Sequence, residues 1–308
     1  MTATAIALGP ESDALLADAI VRGGGKPAPT AEAEGLVWGG NDPAEFPADL
    51  PTSIRWVQLP SAGVEHWFAA GIVQRHPDVV WTSAAGAFAA TVAEHAFMLL
   101  LAGVRALPEH LAATSWRQRE FFDRVGTLRG ARVAIIGAGG IGRTLVPMLA
   151  SVGATVIAVN RSGRPVDGAA ETLPSDRVDE VYPRVDHVVV AAPATDATRH
   201  LIGREQLARL GSHSWVINVA RGSLVDTDTL VDALRDNTIG GAGLDVTDPE
   251  PLPDGHPLWT LPNVIITPHD SNPPSVRVTA YAAHVTENVR RFVAGEALTA
   301  RIDPGVGY

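Results

Sequence analysis

The chain has 308 residues, of which 46% are hydrophobic, and it carries a formal net charge of -10. This length suits about two domains, and this apolar content is sufficient to form a core in each. The acidic balance, without any run of Lys or Arg, argues against a nucleic-acid-binding surface, and the absence of cysteine excludes disulfides and thiolate metal sites. We therefore predict no nucleic-acid partner and no metal site.

Two stretches of the sequence indicate where in the cell the protein is located. The segment Met1 to Leu8 lacks a basic leader and reaches Pro10 too soon for a signal peptide. The most apolar segment, Ala96 to Val104, is far shorter than the ~20 residues that a membrane span needs. We therefore expect a cytoplasmic protein without a membrane partner.

The first hundred residues alternate between strand and helix patterns, which predicts a small α/β domain. The loop Leu59 to Glu65 (LPSAGVE) ends a strand in small residues before a helix, so its backbone amides could hold a carboxylate. The predicted elements are strands at Ala3–Leu8, Leu36–Trp38, Ile54–Leu59 and Val79–Thr82, and a helix at Ser12–Arg22.

A long apolar helix is predicted at Thr91 to Leu107, followed by a polar and aromatic linker or arm from Pro108 to Gly130. We divide the chain into a first domain (residues 1–100), a second domain (residues 101–270) and a C-terminal segment (residues 271–308). The apolar face of a final helix, Ser275 to Ala294, has no evident place in the second sheet, so we expect this helix to return to the first domain.

The second domain is organised by the stretch from Arg132 to Arg161. An apolar strand meets the glycine cluster GAGGIG, and an amphipathic helix and another strand follow. In such a turn the first glycine allows the bend, the second lets the backbone approach a pyrophosphate, and the third allows the helix to lie close to the strand. This context favours dinucleotide binding over a plain structural turn. The predicted cofactor-binding residues here are Gly137, Gly139, Gly140, Ile141 and Gly142.

Six strands predicted from this point suit a doubly wound parallel sheet, in which ligands bind beyond the carboxyl ends of the strands. They lie at Arg132–Ile136, Thr155–Val159, His187–Ala191, Ser214–Val219, Gly241–Val246 and Val264–Ile266. Arg221, Glu250 and His269 each follow one of these strands. An arginine fork suits a carboxylate, a histidine exchanges protons near neutrality, and a carboxylate can hold that histidine. The alternative is that Arg221 is a surface ion-pair partner and Glu250 a solvated loop residue.

The chain resembles the D-isomer-specific 2-hydroxyacid dehydrogenase family over nearly its whole length. The stretches that carry this resemblance are LPSAGVE from Leu59, Val92-Ala93-Glu94 within 86–101, LRGARVAIIGAGGIG from Leu128, PATDATRHLI from Pro193, NVARG from Asn218, GLDVTDPEPLP from Gly243, and Thr267-Pro268-His269. The resemblance implies a Rossmann cofactor domain and a smaller flavodoxin-like α/β substrate domain, made from the first domain and the last helix, with a cleft between them that closes on the ligand.

The resemblance also implies roles for individual residues. Arg221 would bind the substrate, His269 would be the acid/base, and Glu250 would be its partner. Asp245 would lie near the nicotinamide, and Pro193 is a further cofactor-binding position. The amides of Ala62 and Gly63 would help to hold the substrate. Family members are commonly homodimers.

The second strand of the cofactor domain departs from the family pattern. Many members place an acidic residue there for the ribose hydroxyls, whereas this chain has Asn160, followed by Arg161, Ser162 and Arg164. Loss of the acidic group and gain of positive charge favour a 2'-phosphate, so we predict NADP as cofactor, with NAD less favoured. A solvated loop with incidental arginines is the alternative, in which Asp167 or Glu171 could still fold back onto the ribose.

After His269 the family's small or apolar residues are replaced by Asp270-Ser271-Asn272, which alters the electrostatics beside the acid/base. The sequence most resembles the glyoxylate and hydroxypyruvate reductase branch. It therefore predicts NAD(P)H-dependent reduction of a small 2-oxo acid to the D-2-hydroxy acid. The alternative is a dinucleotide-sensing binding protein with little turnover, like the C-terminal-binding corepressors.

Overall fold

The computed structural model describes residues 4–305. Ala3, which the sequence assigns to the first strand, lies outside them. The chain divides into two compact units, one formed by the residues up to Phe88 together with those from Pro273, and the other by Ala89–Asn272. No helix among the described residues is long and apolar enough to cross a membrane.

The first unit is a five-stranded parallel sheet in the order β2-β1-β3-β4-β5. Its last helix packs against its first, and the buried residues Val285 and Val289 of the last helix join Ile20 in one core cluster. The elements are β1 (Ala5–Gly9), α1 (Ala14–Arg22), β2 (Lys26–Pro27), β3 (Gly35–Trp38), β4 (Trp56–Gln58), α2 (Glu65–Ala69), α3 (Ile72–Arg75), β5 (Val80–Thr82) and α10 (Pro274–Ala294).

The second unit is a seven-stranded parallel sheet in the order β12-β11-β10-β9-β6-β7-β8. The strand order reverses between β6 and β9, which is the point where an open α/β sheet binds its ligand. The elements are α4 (Ala89–Val104), α5 (Leu107–Ala112), α6 (Gln118–Phe121), β6 (Arg132–Ile136), α7 (Gly140–Ser151), β7 (Thr155–Asn160), β8 (Glu171–Pro174), β9 (His187–Val190), α8 (Arg204–Ala208), β10 (Trp215–Asn218), α9 (Thr227–Arg235), β11 (Gly241–Leu244) and β12 (Val264–Ile266).

The predicted fold class, a doubly wound α/β domain with a second, smaller α/β domain, is confirmed by this architecture. The second sheet has one strand more than the six that were predicted. The additional strand, β8, lies at the edge of the sheet, where it pairs with β7 alone. Only Leu173 of its four residues is buried, and its sequence (ETLP) lacks the apolar run that identifies the inner strands.

The boundary between the units also differs from the prediction at residue 100. Helix α4 belongs entirely to the second unit, because it packs along α7 and against β10 and β11. The predicted arm, Pro108 to Gly130, contains the short helix α6 and all of α5 except its first residue, Leu107. Ala106, with a φ of 52°, precedes α5 in a left-handed conformation and ends the helical run before it.

Candidate active site

The turn from β6 to α7 shows why each of its three motif glycines is needed. Gly137 has a φ of 93°, and a Cβ there would lie 2.3 Å from the backbone nitrogen of Ala192, beyond the adjacent strand β9. A Cβ at Gly142 would lie 3.0 Å from Cγ2 of Ile135, so α7 lies close to its own strand. At Gly139, by contrast, a Cβ would meet nothing within 4 Å. Here a ligand can approach the backbone directly.

Helix α7 presents its amino end at this open position. Gly139 is the N-cap and makes no side-chain capping bond, and Gly140 is exposed. The amides of the first turn, which include Ile141 and Gly142, have no acceptor within the helix, and the helix dipole favours an anion beside them. The open face of Gly139 and these amides together fit the pyrophosphate of a dinucleotide.

The loop after β7 is shaped by the side chain of Asn160. Its Nδ2 donates to the carbonyl of Arg164 at 2.8 Å, and its Oδ1 accepts from the amide of Ser162 at 3.2 Å. The hydroxyl of Ser162 accepts in turn from the amide of Arg164 at 3.4 Å. Arg161, Ser162 and Arg164 are exposed on this loop. The neutral amide therefore organises a short turn that carries two arginines.

One of the two acidic residues considered for the ribose is already engaged. Glu171, in β8, forms a bidentate ion pair with Arg184. Hydrogen bonds from Arg184 lower the pKa of Glu171, which favours the charged, paired state. The other candidate, Asp167, is exposed.

Two further predicted positions follow central strands. Pro193 is exposed after β9, and its carbonyl accepts from the hydroxyl of Thr198 at 2.8 Å. Arg221 follows β10 and is half-buried. The buried amide side chain of Asn218 donates to the carbonyl of Arg221 at 2.8 Å and accepts from the amide of Ala220 at 3.0 Å. Asn218, the last residue of β10, thus fixes the backbone conformation at Arg221.

Gly222 brings the loop of Arg221 against the loop after β11. A Cβ at Gly222 would lie 1.9 Å from the carbonyl oxygen of Thr247, so no other residue fits this contact. The amide of Thr247 donates to Oε2 of Glu250 at 3.3 Å. Two of the three predicted catalytic residues therefore lie on loops in direct contact.

His269 and Glu250 form a close pair. Nδ1 of His269 lies 2.6 Å from Oε1 of Glu250, and the two side chains are 49% and 42% exposed. This contact uses Nδ1, so Nε2 is the ring nitrogen that can exchange a proton with a ligand. The arrangement can orient an imidazole at the carboxyl edge of the sheet.

Asp245 lies beneath the segment that carries His269 and is 1% exposed. Its Oδ1 accepts from the hydroxyl of Thr267 at 2.7 Å and from the amide of Asp270 at 3.1 Å, and its Oδ2 accepts from the amide of Ser271 at 3.3 Å. The carboxylate therefore has a structural task within the unit, whatever it contacts in a ligand.

Asp270, one of the departures from the family pattern, lies near two other titratable groups. Its carboxylate, a ring nitrogen of His95 and a carboxylate oxygen of Asp245 are all within 4.8 Å of one another, the one such potential metal-ligand group among residues 4–305. A cation there would compete with the hydrogen bonds that Asp245 accepts.

The remaining predicted positions, Ala62 and Gly63, are in the first unit, in the loop between β4 and α2. Ala62 is exposed and Gly63 half-buried, and within the described chain neither amide donates a backbone hydrogen bond. Both amides are therefore available to an acceptor such as a carboxylate oxygen.

Several residues that shape the site had no role assigned from the sequence. Asn218 and Gly222 hold the loop of Arg221, and Thr267 and His95 contact Asp245. Thr267 lies two residues before His269 in the sequence, and this proximity is the signal by which its role could have been predicted. His95 gave none, because a histidine on an apolar helix resembles an ordinary buried residue.

Residues 96–271 match the family model described as D-isomer specific 2-hydroxyacid dehydrogenase, NAD binding domain. The chain is 42% identical over 295 residues to an uncharacterized protein in the proB 3' region of Corynebacterium melassecola, with 94% of this chain and 95% of that protein covered. It is 31% identical over 288 residues to glyoxylate/hydroxypyruvate reductase B of Yersinia pestis bv. Antiqua (strain Nepal516), covering 89% of this chain and 85% of the relative.

The fold is similar to a crystal structure of a D-isomer specific 2-hydroxyacid dehydrogenase from Xanthobacter autotrophicus Py2 in complex with NADPH and MES. The TM-score is 0.81 at 28% sequence identity, and both chains are covered completely. The match to the family model spans more than half of the chain and includes the glycine turn, Arg221, Glu250 and His269. The chain therefore belongs to the D-isomer specific 2-hydroxyacid dehydrogenase family, whose members are NAD(P)-binding oxidoreductases that act on CH-OH groups.

Proposed function

We propose that the protein uses NADPH to reduce a small 2-oxo acid of the glyoxylate and hydroxypyruvate class to the D-2-hydroxy acid. The observation that carries this proposal is the 2.6 Å pair of His269 and Glu250, in which Glu250 belongs to the loop that adjoins the loop of Arg221. The 31% identical relative named glyoxylate/hydroxypyruvate reductase B supports the substrate class.

In this proposal the chain's residues bind the substrate and move a proton. The guanidinium of Arg221 holds the substrate carboxylate, because its planar fork matches two carboxylate oxygens. Protonated His269 donates from Nε2 to the carbonyl oxygen during reduction, and the neutral ring accepts that proton in the reverse reaction. Glu250 holds the ring through Nδ1 and stabilises its positive charge.

The residues present fit a dinucleotide. The open face of Gly139 and the amides at the start of α7 would hold the pyrophosphate, and the loop of Asn160, Arg161, Ser162 and Arg164 would hold the adenosine ribose. A bound nicotinamide would supply the hydride.

The test is a turnover assay with glyoxylate, hydroxypyruvate, pyruvate and phenylpyruvate, each with NADPH and with NADH. We expect the highest kcat/KM for glyoxylate or hydroxypyruvate with NADPH. The alternative, a dinucleotide-sensing binding protein, predicts tight NADPH binding without measurable turnover of any of the four acids. A preference for phenylpyruvate would contradict the proposed substrate class.

The preference for NADPH should depend on the loop after β7. Because a charge-assisted hydrogen bond is worth ~1.5 to 3 kcal/mol, kcat/KM should be about tenfold or more higher with NADPH than with NADH. Arg161→Ala should remove most of this preference by raising KM for NADPH while leaving KM for NADH nearly unchanged. Arg204→Ala, on a surface helix where Arg204 pairs with Asp232, is the matched control. Equal use of both cofactors by the parent enzyme would refute the assignment.

We also propose that the protein is a homodimer in which a second copy covers the 107–122 segment. Four large apolar side chains are exposed there: Leu107 (44%), Leu111 (77%), Trp116 (89%) and Phe122 (66%). A cluster of this kind is costly to leave in water and is typical of a protein interface. Light scattering should give twice the chain mass of 32.3 kDa. The double variant Leu111→Glu with Phe122→Glu should shift the mass to that of one chain, and a monomeric parent would contradict the proposal.

A further inference from the structure

The backbone of His269 adopts an unfavourable conformation. Its φ is 55°, in the left-handed region that side chains with a Cβ adopt rarely. Such a conformation persists only where surrounding contacts hold it, and a small displacement of the ring would misalign proton transfer. The contacts that hold this turn therefore bear directly on the position of Nε2.

Asp245 supplies most of these contacts from below the turn. Its carbonyl accepts from the amide of His269 at 2.9 Å, and its carboxylate accepts from the amides of Asp270 and Ser271 at 3.1 and 3.3 Å. Three consecutive amides thus point to one residue. The carboxylate of Asp245 therefore holds the two residues that directly follow His269.

Two residues set the direction of that carboxylate from the other side. The hydroxyl of Thr267 donates to Oδ1 of Asp245 at 2.7 Å. Nε2 of His95, on helix α4, lies 2.8 Å from the same hydroxyl and 3.5 Å from Oδ1. A threonine hydroxyl has one proton, which it gives to Asp245, so it accepts from His95. The chain of donors runs from His95 through Thr267 to Asp245.

Helix α4 is a rigid base for this chain of hydrogen bonds. It spans 16 residues, and the neighbours of His95 on the core face, Ala96 and Leu99, are 0% exposed. The side chain of His95 is itself only 14% exposed, so its ring is held away from competing water. The backbone of α4 therefore fixes the position of the His95 ring, which donates the hydrogen bond to Thr267.

We infer that His95 and Thr267 are positioning residues for His269, acting through the Asp245 carboxylate to hold the turn that aims Nε2 at the substrate. This inference rests on the proposed function, in which His269 exchanges the proton. Neither residue need touch substrate or cofactor to have this effect.

Thr267→Val removes the hydroxyl at nearly constant volume and tests the inference. We expect kcat for reduction to fall roughly 10- to 100-fold, while the Kd for NADPH, measured by fluorescence titration, stays within about twofold. The solvent deuterium isotope effect on kcat should rise, because proton transfer from a misplaced ring becomes slower relative to the other steps. Thr267→Ser, which keeps the hydroxyl, should restore most of kcat, and His95→Leu should resemble Thr267→Val.

Thr260→Val is the matched control, because the hydroxyl of Thr260 donates to the local carbonyl of Pro257, at 3.0 Å. This variant should keep the parent's kcat and isotope effect. Melting temperatures of all variants identify any loss of kcat that comes from unfolding.

The decisive comparison is made in the His269→Gln background. If Thr267 acts through His269, adding Thr267→Val to His269→Gln should lower the residual rate less than about twofold. An equally large loss in both backgrounds, or full activity of Thr267→Val alone, would overturn the inference while leaving the proposed function in place. Near-parent activity of His269→Gln alone would instead remove the acid/base assignment, and the inference with it.

Discussion

Replacing His269 with glutamine should lower kcat/KM for reduction of the preferred 2-oxo acid by about a thousandfold, within the range that a positioned general acid contributes. Glutamine can still donate a hydrogen bond to Glu250, but its amide does not titrate near neutrality and cannot deliver a proton. Steady-state rates with saturating NADPH measure the effect. NADPH binding should be unchanged, since the loss is confined to the chemical step.

The chain offers a matched control for this substitution. His213 also pairs with a carboxylate, with Nε2 3.0 Å from Oδ1 of Asp186, and its side chain is exposed to a comparable degree. It lies before β10, at the amino edge of the sheet, away from the carboxyl ends where the ligand is expected. His213→Gln should keep the parent's activity. If His269→Gln does the same, His269 is not the acid.

Arg221→Gln should reduce kcat/KM at least about a hundredfold, which corresponds to roughly 3 kcal/mol of lost transition-state binding. Glutamine lacks both the charge and the fork that match a carboxylate. Arg221→Lys keeps the charge without the fork, so its activity should lie between those of the parent and the glutamine variant. The kinetics of all three proteins with glyoxylate and hydroxypyruvate give the comparison.

A substrate without the carboxylate separates this role from a general loss of structure. The parent should discriminate strongly against the methyl ester of glyoxylic acid, because an ester cannot form the charged pair. Arg221→Gln should lose most of this discrimination while the rate with the ester changes little. A variant that loses activity equally with acid and ester would show that Arg221 acts on something other than the carboxylate.

The inner strands of the second unit were predictable because strands that are buried on both faces consist of nearly continuous apolar runs. Strand β6 matches its prediction from Arg132 to Ile136, and β9 begins at His187 as predicted and ends one residue earlier, at Val190, since each is a short apolar run. The glycine turn was predictable because its spacing reflects two close contacts within the chain, at Gly137 and Gly142, and an open approach to the backbone at Gly139. Family membership, which the comparisons confirm, followed from ordered motifs along the whole chain.

Structural features that depend on contacts between residues far apart in the sequence could not be predicted from local sequence patterns. Strand β8 is set by its pairing with β7, and its own residues do not require it. The end of the first unit at Phe88 depends on α4 packing against α7, a contact between elements far apart in the chain. The bond from His95 to Thr267 joins residues 172 positions apart. Propensity and periodicity are local properties, so they do not report contacts of this kind.

The first unit is built from two segments that are far apart in the chain, and this affects how it folds during translation. Its sheet strands are synthesised first, but α10, which covers Ile20 and Trp56, follows only after the whole of Ala89–Asn272. At about 5 to 20 residues per second this interval lasts on the order of ten to forty seconds. The second unit, which is continuous, can fold in that time. The first cannot complete its core until α10 has left the ribosome, so the nascent chain exposes apolar surface that chaperones are suited to protect.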